Sequence, residues 1–297
     1  MDAQDLKVFE AVARAGSMSM AAAELHTVQS NVTARVRKIE SRLGLRLFER
    51  TPKGVILTAA GQRLLPYAQR LSSLLSDAQR AVLDTGTPQG ALTLGSLETT
   101  LALRLAPALS EFAGTYPDVD LCLRTGTTRE LLDDVIARRV EGAFVCGPLV
   151  HAEIEVELIC QEELVLLSAP GATALRILAN SVQPPRMIVL RLGCSYRQRL
   201  EEYLAHRGVP APRVLEFGTL EAIFSAVSAG LGVTLLPRSL IGPVIKPGRL
   251  LVEPLEDGQG LVQTAFIRHR EGYRSSALDA FLKSIRRHLG RALPNAT

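Results

Sequence analysis

Ser19-Met20-Ala21-Ala22-Ala23-Glu24-Leu25-His26-Thr27-Val28-Gln29-Ser30-Asn31-Val32-Thr33-Ala34-Arg35-Val36-Arg37-Lys38 is the stretch on which the fold turns. Ser19–Leu25 reads as a short helix whose alanines let a neighbouring helix approach closely. His26–Val28 reads as a turn. From Gln29 to Leu43 a second helix is expected, with Val32, Val36, Ile39 and Leu43 as its buried stripe and a polar, basic outer face. Upstream, Leu6, Phe9, Val12 and Ala13 repeat at helical spacing and supply the helix against which Ala21, Ala22 and Leu25 pack. Downstream, Leu47-Phe48-Glu49-Arg50, the turn Thr51-Pro52-Lys53-Gly54 and Val55-Ile56-Leu57-Thr58 read as a small hairpin. Helix, turn, helix and wing form a shape that fits the major groove of DNA and grips the flanking phosphates.

Charge supports that reading. Between Thr27 and Lys53 lie seven basic residues, Arg35, Arg37, Lys38, Arg42, Arg46, Arg50 and Lys53, against the acids Glu40 and Glu49. That local excess is larger than the formal net charge of +4 for the whole chain, so the basic footprint belongs to this segment. A solvated basic helix face is the plain alternative. A recognition helix enters the groove by its N-terminal turns, which brings Gln29, Ser30, Asn31, Thr33 and Ala34 nearest the bases. Gln and Asn can pair bidentately with adenine, and Thr meets either a base or a phosphate. Arg35, Arg37, Lys38, Arg50 and Lys53 are placed for phosphates, which set affinity more than sequence preference.

From Thr58 to about Leu83 the pattern changes. Leu64, Ala68, Leu71, Leu75, Ala78 and Val82 recur at alternating spacings of four and three, a heptad seam on one long helix. The seam serves either dimerisation, which a reader of paired half-sites needs, or packing on a neighbouring domain. Thr85-Gly86-Thr87-Pro88-Gln89-Gly90 breaks the helix and marks a hinge. Beyond it, Ala91–Gly95, Val119–Arg124, Gly142–Cys146, Glu163–Ser168, Met187–Leu190, Val214–Phe217, Gly232–Leu236 and Thr264–Arg268 read as strands with helices between several of them. The alternation argues an α/β domain with largely parallel sheets, and such sheets bind ligands at the carboxyl ends of their strands.

The order of these parts resembles LysR-type transcriptional regulators, and the resemblance covers essentially the whole chain. It rests on Ala21-Ala22-Ala23-Glu24-Leu25-His26, Gln29 followed by Thr33, Ile39-Glu40, Leu43-Gly44, Leu47-Phe48-Glu49-Arg50 and Leu57-Thr58-Ala59-Ala60-Gly61. It continues through Phe112 with Tyr116-Pro117-Asp118-Val119, and Gly230-Leu231-Gly232-Val233 with Leu236-Pro237. The family usually has Ser where this chain has Val28, often Pro where it has Ser30, and Arg where it has Ala34. Since Val28 has no capping oxygen, Thr27 is the expected cap of the recognition helix.

The resemblance implies three parts: a winged helix-turn-helix over 1–58, a dimerising helix and hinge over 59–88, and an effector-binding domain over 89–297. That last domain is expected as two periplasmic-binding-protein-like lobes with a cleft between, lobe I covering 89–162 and 267–297 and lobe II 163–266. Four candidate helix starts would then meet around one cavity. They are Ser96-Leu97-Glu98-Thr99-Thr100, Thr127-Thr128-Arg129-Glu130, Ser195-Tyr196-Arg197-Gln198 and Gly218-Thr219. Thr127 with Glu130, and Ser195 with Gln198, have the spacing of a capping box. Helix starts favour anions, so an anionic small molecule is the expected effector. Ser96, Thr99, Thr100, Thr127, Thr128, Ser195, Tyr196 and Thr219 are its candidate contacts, and each is also readable as an ordinary cap. Tyr196 is placed to stack on a flat ligand or to close the pocket. Glu98 would repel an anion unless it faces away, and would accept from an amine or hydroxyl. Promoter DNA, the effector and further copies of this chain, as homodimer or homotetramer, are the expected partners, with RNA polymerase a further candidate.

Other functions fit less well. No Gly-x-Ser-x-Gly, Walker or His-Glu-x-x-His motif occurs, and the histidines are scattered, which argues against an enzyme. The four cysteines, Cys122, Cys146, Cys160 and Cys194, have no zinc-ligand spacing and read as reduced thiols. Cys146 and Cys194 each lie beside a strand end, so a redox-sensing regulator stays open, as does one with a filled cleft and no effector. A solute-binding transport protein would suit the C-terminal half alone. No cofactor or metal is called for. The N-terminus lacks secretory-signal features, and no apolar run approaches a membrane span, so the cytoplasm is the expected location.

Overall fold

A computed structural model describes residues 1–52, 54–171, 173–174, 186–209, 212–243, 245–246, 248–255 and 259–292. It divides into two units, Met1–Thr85 with Ala137–Arg139, and Gly86–Ile136 with Val140–Thr297.

In the first unit Asp2 starts α1 (Ala3–Ala15) through a capping box: its side chain accepts from Asp5 N at 2.8 Å and its own N–H donates to the Asp5 carboxylate at 3.2 Å. Ser17 caps α2 (Met18–Glu24), and α3 (Gln29–Leu43) follows the His26–Val28 turn. Val32, Val36 and Ile39 are buried as the stripe requires, but Leu43 is 42% exposed. It is the last helical residue before Gly44, where the αL cap turns the chain away from the core. The wing pairs β1 (Phe48–Thr51) with β2 (Gly54–Leu57), antiparallel, with Phe48 opposite Leu57. Phe48 packs on Phe9 of α1 with ring centroids 5.1 Å apart, and Val55 N donates to Gly16 O at 2.8 Å. These contacts fasten the wing to the first helix.

Thr58 caps α4 (Ala59–Leu83) and also donates its hydroxyl to Arg46 O at 2.8 Å. The helix passes so close to the wing strand that a Cβ at Gly61 would stand 2.2 Å from Leu47 O, which explains glycine there. The heptad seam divides along this helix. Ala68 is buried, and Leu64 and Leu71 pack against the core formed by α1, α2 and α3. Leu75 is 46% and Val82 84% exposed, and Ala78 is exposed between them.

The second unit begins with β3 (Gly90–Ser96). Its helix opens as α5 (Glu98–Thr100), widens into a π turn over Leu101–Leu105 and continues as α6 (Ala106–Thr115). Then come β4 (Val119–Thr125), α7 (Thr128–Ile136), β5 (Gly142–Gly147), β6 (Ile154–Ser168) and β7 (Arg186–Val189). They are followed by α8 (Ser195–His206), β8 (Arg213–Glu216), α9 (Leu220–Ser228), β9 (Thr234–Pro237), β10 (Leu251–Pro254), β11 (Leu261–His269) and α10 (Ser276–Ala292). Lobe I is the sheet β6-β11-β5-β3-β4; lobe II has β9 and β10 flanking the far half of β6, with β8 paired to β7 and β7 bridged to Val233.

The sheets are mixed rather than largely parallel. The pairs β3–β4, β3–β5 and β7–β8 are parallel, whereas β11 runs antiparallel to β5 and β6, and β6 antiparallel to β9 and β10. The physical reason is the crossing between lobes. One strand leaves lobe I and another returns, and side by side they pair antiparallel. The outgoing β6 is therefore a single 15-residue strand, of which only Glu163–Ser168 has a clear strand pattern in the sequence. β11 starts at Leu261 rather than Thr264, and β10 has no counterpart among the expected strands. An aromatic cluster of Phe112, Phe144, Phe266 and Phe281 closes lobe I beneath α6 and α10.

Candidate functional site

With Val32, Val36 and Ile39 turned into the core, the outer face of α3 presents Gln29, Ser30, Asn31, Ala34, Arg37 and Lys38 exposed, with Thr33 and Arg35 half-buried. The helix starts with Val28 in the capping position and no side-chain cap. Thr27 does not cap it, contrary to expectation. Its Oγ1 instead accepts from Asn31 Nδ2 at 3.0 Å, because it stands one residue too early to reach the free N–H groups. Gln29 Oε1 accepts from Ser19 Oγ at 3.1 Å. Both amides expected at the bases are thus held in place by residues of α2 and the turn.

The cations of this face are not equivalent. Arg35 donates to the Asp5 carboxylate at 3.0 Å, and Lys38 lies 3.1 Å from Asp5 and 3.3 Å from Asp2. Asp5 has a fully buried side chain, and the Met1 amino group lies 3.9 Å from it. Burial alone would raise its carboxyl; Lys38 and the Asp2 N–H outweigh burial and hold it below the usual carboxylate range. The Asp5 N–H does the same for Asp2, and the two carboxylates push Lys38 up. Arg37 has no ion pair among the described residues. Glu40 accepts from Leu47 N at 2.8 Å and Phe48 N at 3.3 Å, which ties α3 to the wing. The side chain of Arg50 and all of Lys53, both expected at phosphates, lie outside the described residues. Sequence reasoning misses Asp2, Asp5 and Glu40, although the Asp2/Asp5 spacing is that of a capping box.

The second site is a cavity of about 130 Å³ between the lobes. Lobe I contributes Leu97, Glu98, Thr99, Thr125, Gly126 and Thr127; lobe II contributes Leu190, Arg191, Cys194, Tyr196 and Gly218. Of the eight candidate contacts, Thr99, Thr127 and Tyr196 line it. Thr128 and Ser195 lie alongside and hydrogen-bond to each other across the lobes, at 3.0 Å. Ser195 is therefore not a helix cap: Cys194 takes that position, and the Ser195 hydroxyl points at lobe I. Ser96 is buried and donates to Leu97 O. Thr100 is buried, and its hydroxyl has no partner among the described residues. Thr219 is exposed and caps α9 through Ala222 N at 3.3 Å.

Four polar ties join the lobes around this cavity. Besides Ser195–Thr128, Thr99 Oγ1 and Tyr196 Oη are 3.3 Å apart, Leu220 N donates to Glu98 Oε1 at 3.3 Å, and Arg191 reaches Glu130 at 3.2 Å. The Thr127/Glu130 capping box forms as expected, with Thr127 N donating to the Glu130 carboxylate at 2.8 Å. That bond, first, and Arg191 hold Glu130 below its usual range. Gly193 lets the lobes meet. It has φ +94°, and a Cβ there would stand 2.9 Å from Thr127 Oγ1. Tyr196 closes the pocket rather than offering a ring face. It is 4% exposed, and burial raises its phenol well above the usual range.

Where β6 and β11 cross between lobes, Arg104 of the π turn donates to the buried Glu162 at 3.1 Å, and Thr264 donates to the other oxygen at 3.3 Å. Burial pushes the Cys146 thiol up to about 11, and raises Cys160 and Cys194 as well. Cys122 alone is exposed.

Residues 3–62 match the family described as bacterial regulatory helix-turn-helix protein, lysR family, and residues 85–290 match the LysR substrate binding domain. The HTH-type transcriptional regulator GltR of Bacillus subtilis is 39% identical over 288 residues, covering 97% of each chain. The regulator YofA of the same species is 40% identical over 285 residues, covering 96% of this chain and 98% of the relative. Among solved structures, a full-length single-substitution variant of OxyR from Pseudomonas aeruginosa superposes with a TM-score of 0.72 at 20% identity, over 96% of this chain and 95% of that one. Full-length CbnR in complex with its target DNA superposes with a TM-score of 0.64 at 24% identity, over 97% of this chain and all of that one. Identities this low establish the shared fold.

Proposed function

The chain belongs to the lysR family of bacterial regulatory helix-turn-helix proteins and is a DNA-binding transcriptional regulator with a substrate-binding domain; from that premise we propose that a small molecule between lobes I and II sets how it holds promoter DNA. The observation that carries the proposal is the ring of four polar ties around the cavity, each joining a lobe I residue to a lobe II residue. A ligand there must replace or reinforce those ties, and so has different affinities for different lobe angles. Only such a difference can shift the equilibrium.

In this reading α3 lies in the major groove with Gln29, Ser30, Asn31, Thr33 and Ala34 toward the bases, and the wing lies on the backbone. The exposed half of the seam, Leu75, Ala78 and Val82, pairs two copies, and the effector units pair dimers into tetramers. Leu64, Ala68 and Leu71 serve the core of their own unit instead. Domain boundaries fall at 58, 88, 162 and 266. The protein acts in the cytoplasm, meets RNA polymerase at the promoter, and carries out no reaction.

An anionic effector remains the first reading, with a changed mechanism. Two helix starts already hold the chain's own carboxylates, Glu130 at α7 and Glu98 at α9. An incoming anion displaces Glu98 from Leu220 N and thereby loosens one tie between the lobes. The other oxygen of Glu98, which has no partner among the described residues, favours a second reading, an effector that brings an amine or hydroxyl to it. Three thiols kept protonated by burial weigh against cysteine oxidation as the signal.

The test is a thermal-shift screen of the full chain with inorganic anions, small organic acids, aromatic carboxylates and amines. A ligand at 100 times its Kd stabilises the native state by about 2.7 kcal/mol. A hit lost in Thr127→Ala, with DNA binding kept and the wild-type DNase footprint altered by ligand, supports the reading. No hit in any class, or a hit that leaves the footprint unchanged, counts against it.

A further inference from the structure

We infer that Asp5 is a positioning and specificity residue of the DNA-reading unit, holding Arg35 and Lys38 off the phosphates so that Arg37 alone of these three supplies phosphate charge. The inference rests on α3 lying in the major groove. Three observations carry it. The Asp5 side chain is fully buried, yet it receives Arg35 at 3.0 Å and Lys38 at 3.1 Å. Asp5 cannot swing away, because Asp2 N donates to it at 3.2 Å and its own N–H is tied to the Asp2 side chain. Arg37, on the same helix, is exposed and has no ion pair among the described residues.

The energetic asymmetry decides which partner wins. A phosphate that took Arg35 and Lys38 would leave the Asp5 carboxylate with only the Asp2 N–H and the Met1 amino group 3.9 Å away, an unfavourable loss of its two nearest cations. Arg37 has no such tie and meets a phosphate at the cost of its own hydration alone. The consequence reaches specificity. Cations facing the backbone strengthen binding to every sequence alike. Withdrawing two of three leaves a groove-facing surface dominated by the neutral side chains of Gln29, Ser30, Asn31 and Thr33, whose contacts depend on the base.

The experiment measures binding of the full-length protein to a mixed-sequence duplex between about 50 and 200 mM salt, reading the slope of log affinity against log salt. Arg37→Gln is expected to make the slope shallower by about 0.9 per protomer. Arg35→Gln and Lys38→Gln are expected to leave it unchanged. Asp5→Asn releases Arg35 and leaves Lys38 on the exposed Asp2 alone, so it steepens the slope by about 0.9 to 1.8 per protomer and tightens non-specific binding, whereas Asp5→Glu keeps the wild-type slope. A shallower slope in Arg35→Gln or Lys38→Gln overturns the inference, as does an unchanged slope in a folded Asp5→Asn. An unchanged slope in Arg37→Gln overturns the placement of α3 itself, which separates the two failures. Circular dichroism checks each fold. Should Asp5→Asn not fold, the Arg35 and Lys38 variants decide alone, since both side chains reach solvent.

Discussion

The DNA-reading unit and the effector unit both place their own carboxylates where an outside partner would be expected, and they do so in opposite ways. In the reader Asp5 is fully buried and holds two cations of the recognition helix. At the rim of the cleft, Glu98 is half-buried and Glu130 is 52% exposed, and each occupies a helix start that an anion would favour. Burial decides what each arrangement can do. A buried carboxylate gives up its cations only at a high cost, so it acts as a brace. A solvated one gives up its partner for little, so it acts as an exchangeable placeholder. Glu162, between the lobes, belongs with Asp5: its side chain is 1% exposed, and Arg104 and Thr264 meet it.

The largest effect is expected at Glu162. Arg104→Met strands that carboxylate and is expected to cost about 3 kcal/mol or more in chemical denaturation of the effector unit. A loss below about 1 kcal/mol would place Glu162 with the exchangeable group. Acid titration sharpens the reader's side. Asp2 and Asp5 titrate below their ordinary 3.8 when folded, so their stabilisation is complete above that pH and is lost as pH falls through the lower, folded values. The wild-type melting temperature should therefore drop more steeply below pH 4 than that of Asp5→Asn, and parallel curves would argue against the brace.

Glu98→Gln should change thermal stability by under about 1 kcal/mol while strengthening the thermal shift caused by organic acids and weakening that caused by amines; the reverse order would show Glu98 to be a fixed part of the wall. The smallest effect concerns the thiols. Iodoacetamide near pH 8 should modify Cys122 well before Cys146, which burial holds near 11. Peptide mass spectrometry reads the order, and early labelling of Cys146 would reopen cysteine oxidation as a signal. Because the folded Cys146 titrates above its ordinary 9.0, its stabilisation is complete below that value and is lost as pH rises through about 11.

Local pattern made much of this legible. The α3 stripe of Val32, Val36 and Ile39, the wing around Pro52 and Gly54, the Thr58 cap and the Thr127/Glu130 capping box all depend on residues within one or two turns of each other. Other features depend on residues far apart in the chain. The partner of Arg35 is 30 residues away, that of Ser195 is 67 and that of Glu98 is 122. Periodicity could not show that Leu64 and Leu71 face their own core while Val82 faces solvent, because a heptad seam looks the same whichever surface covers it. Nor could it foretell the full length of β6, since among the described residues the half in lobe I pairs along one edge only, with β11, and tolerates Glu155, Glu157 and Gln161 among its apolar residues. The helix-turn-helix, the wing, the long helix and the alternating α/β domain were readable from residue order alone, because backbone hydrogen bonding and side-chain period are local. Tertiary structure alone decided which charges are braces and which are placeholders, because desolvation depends on what the rest of the chain brings to cover each group.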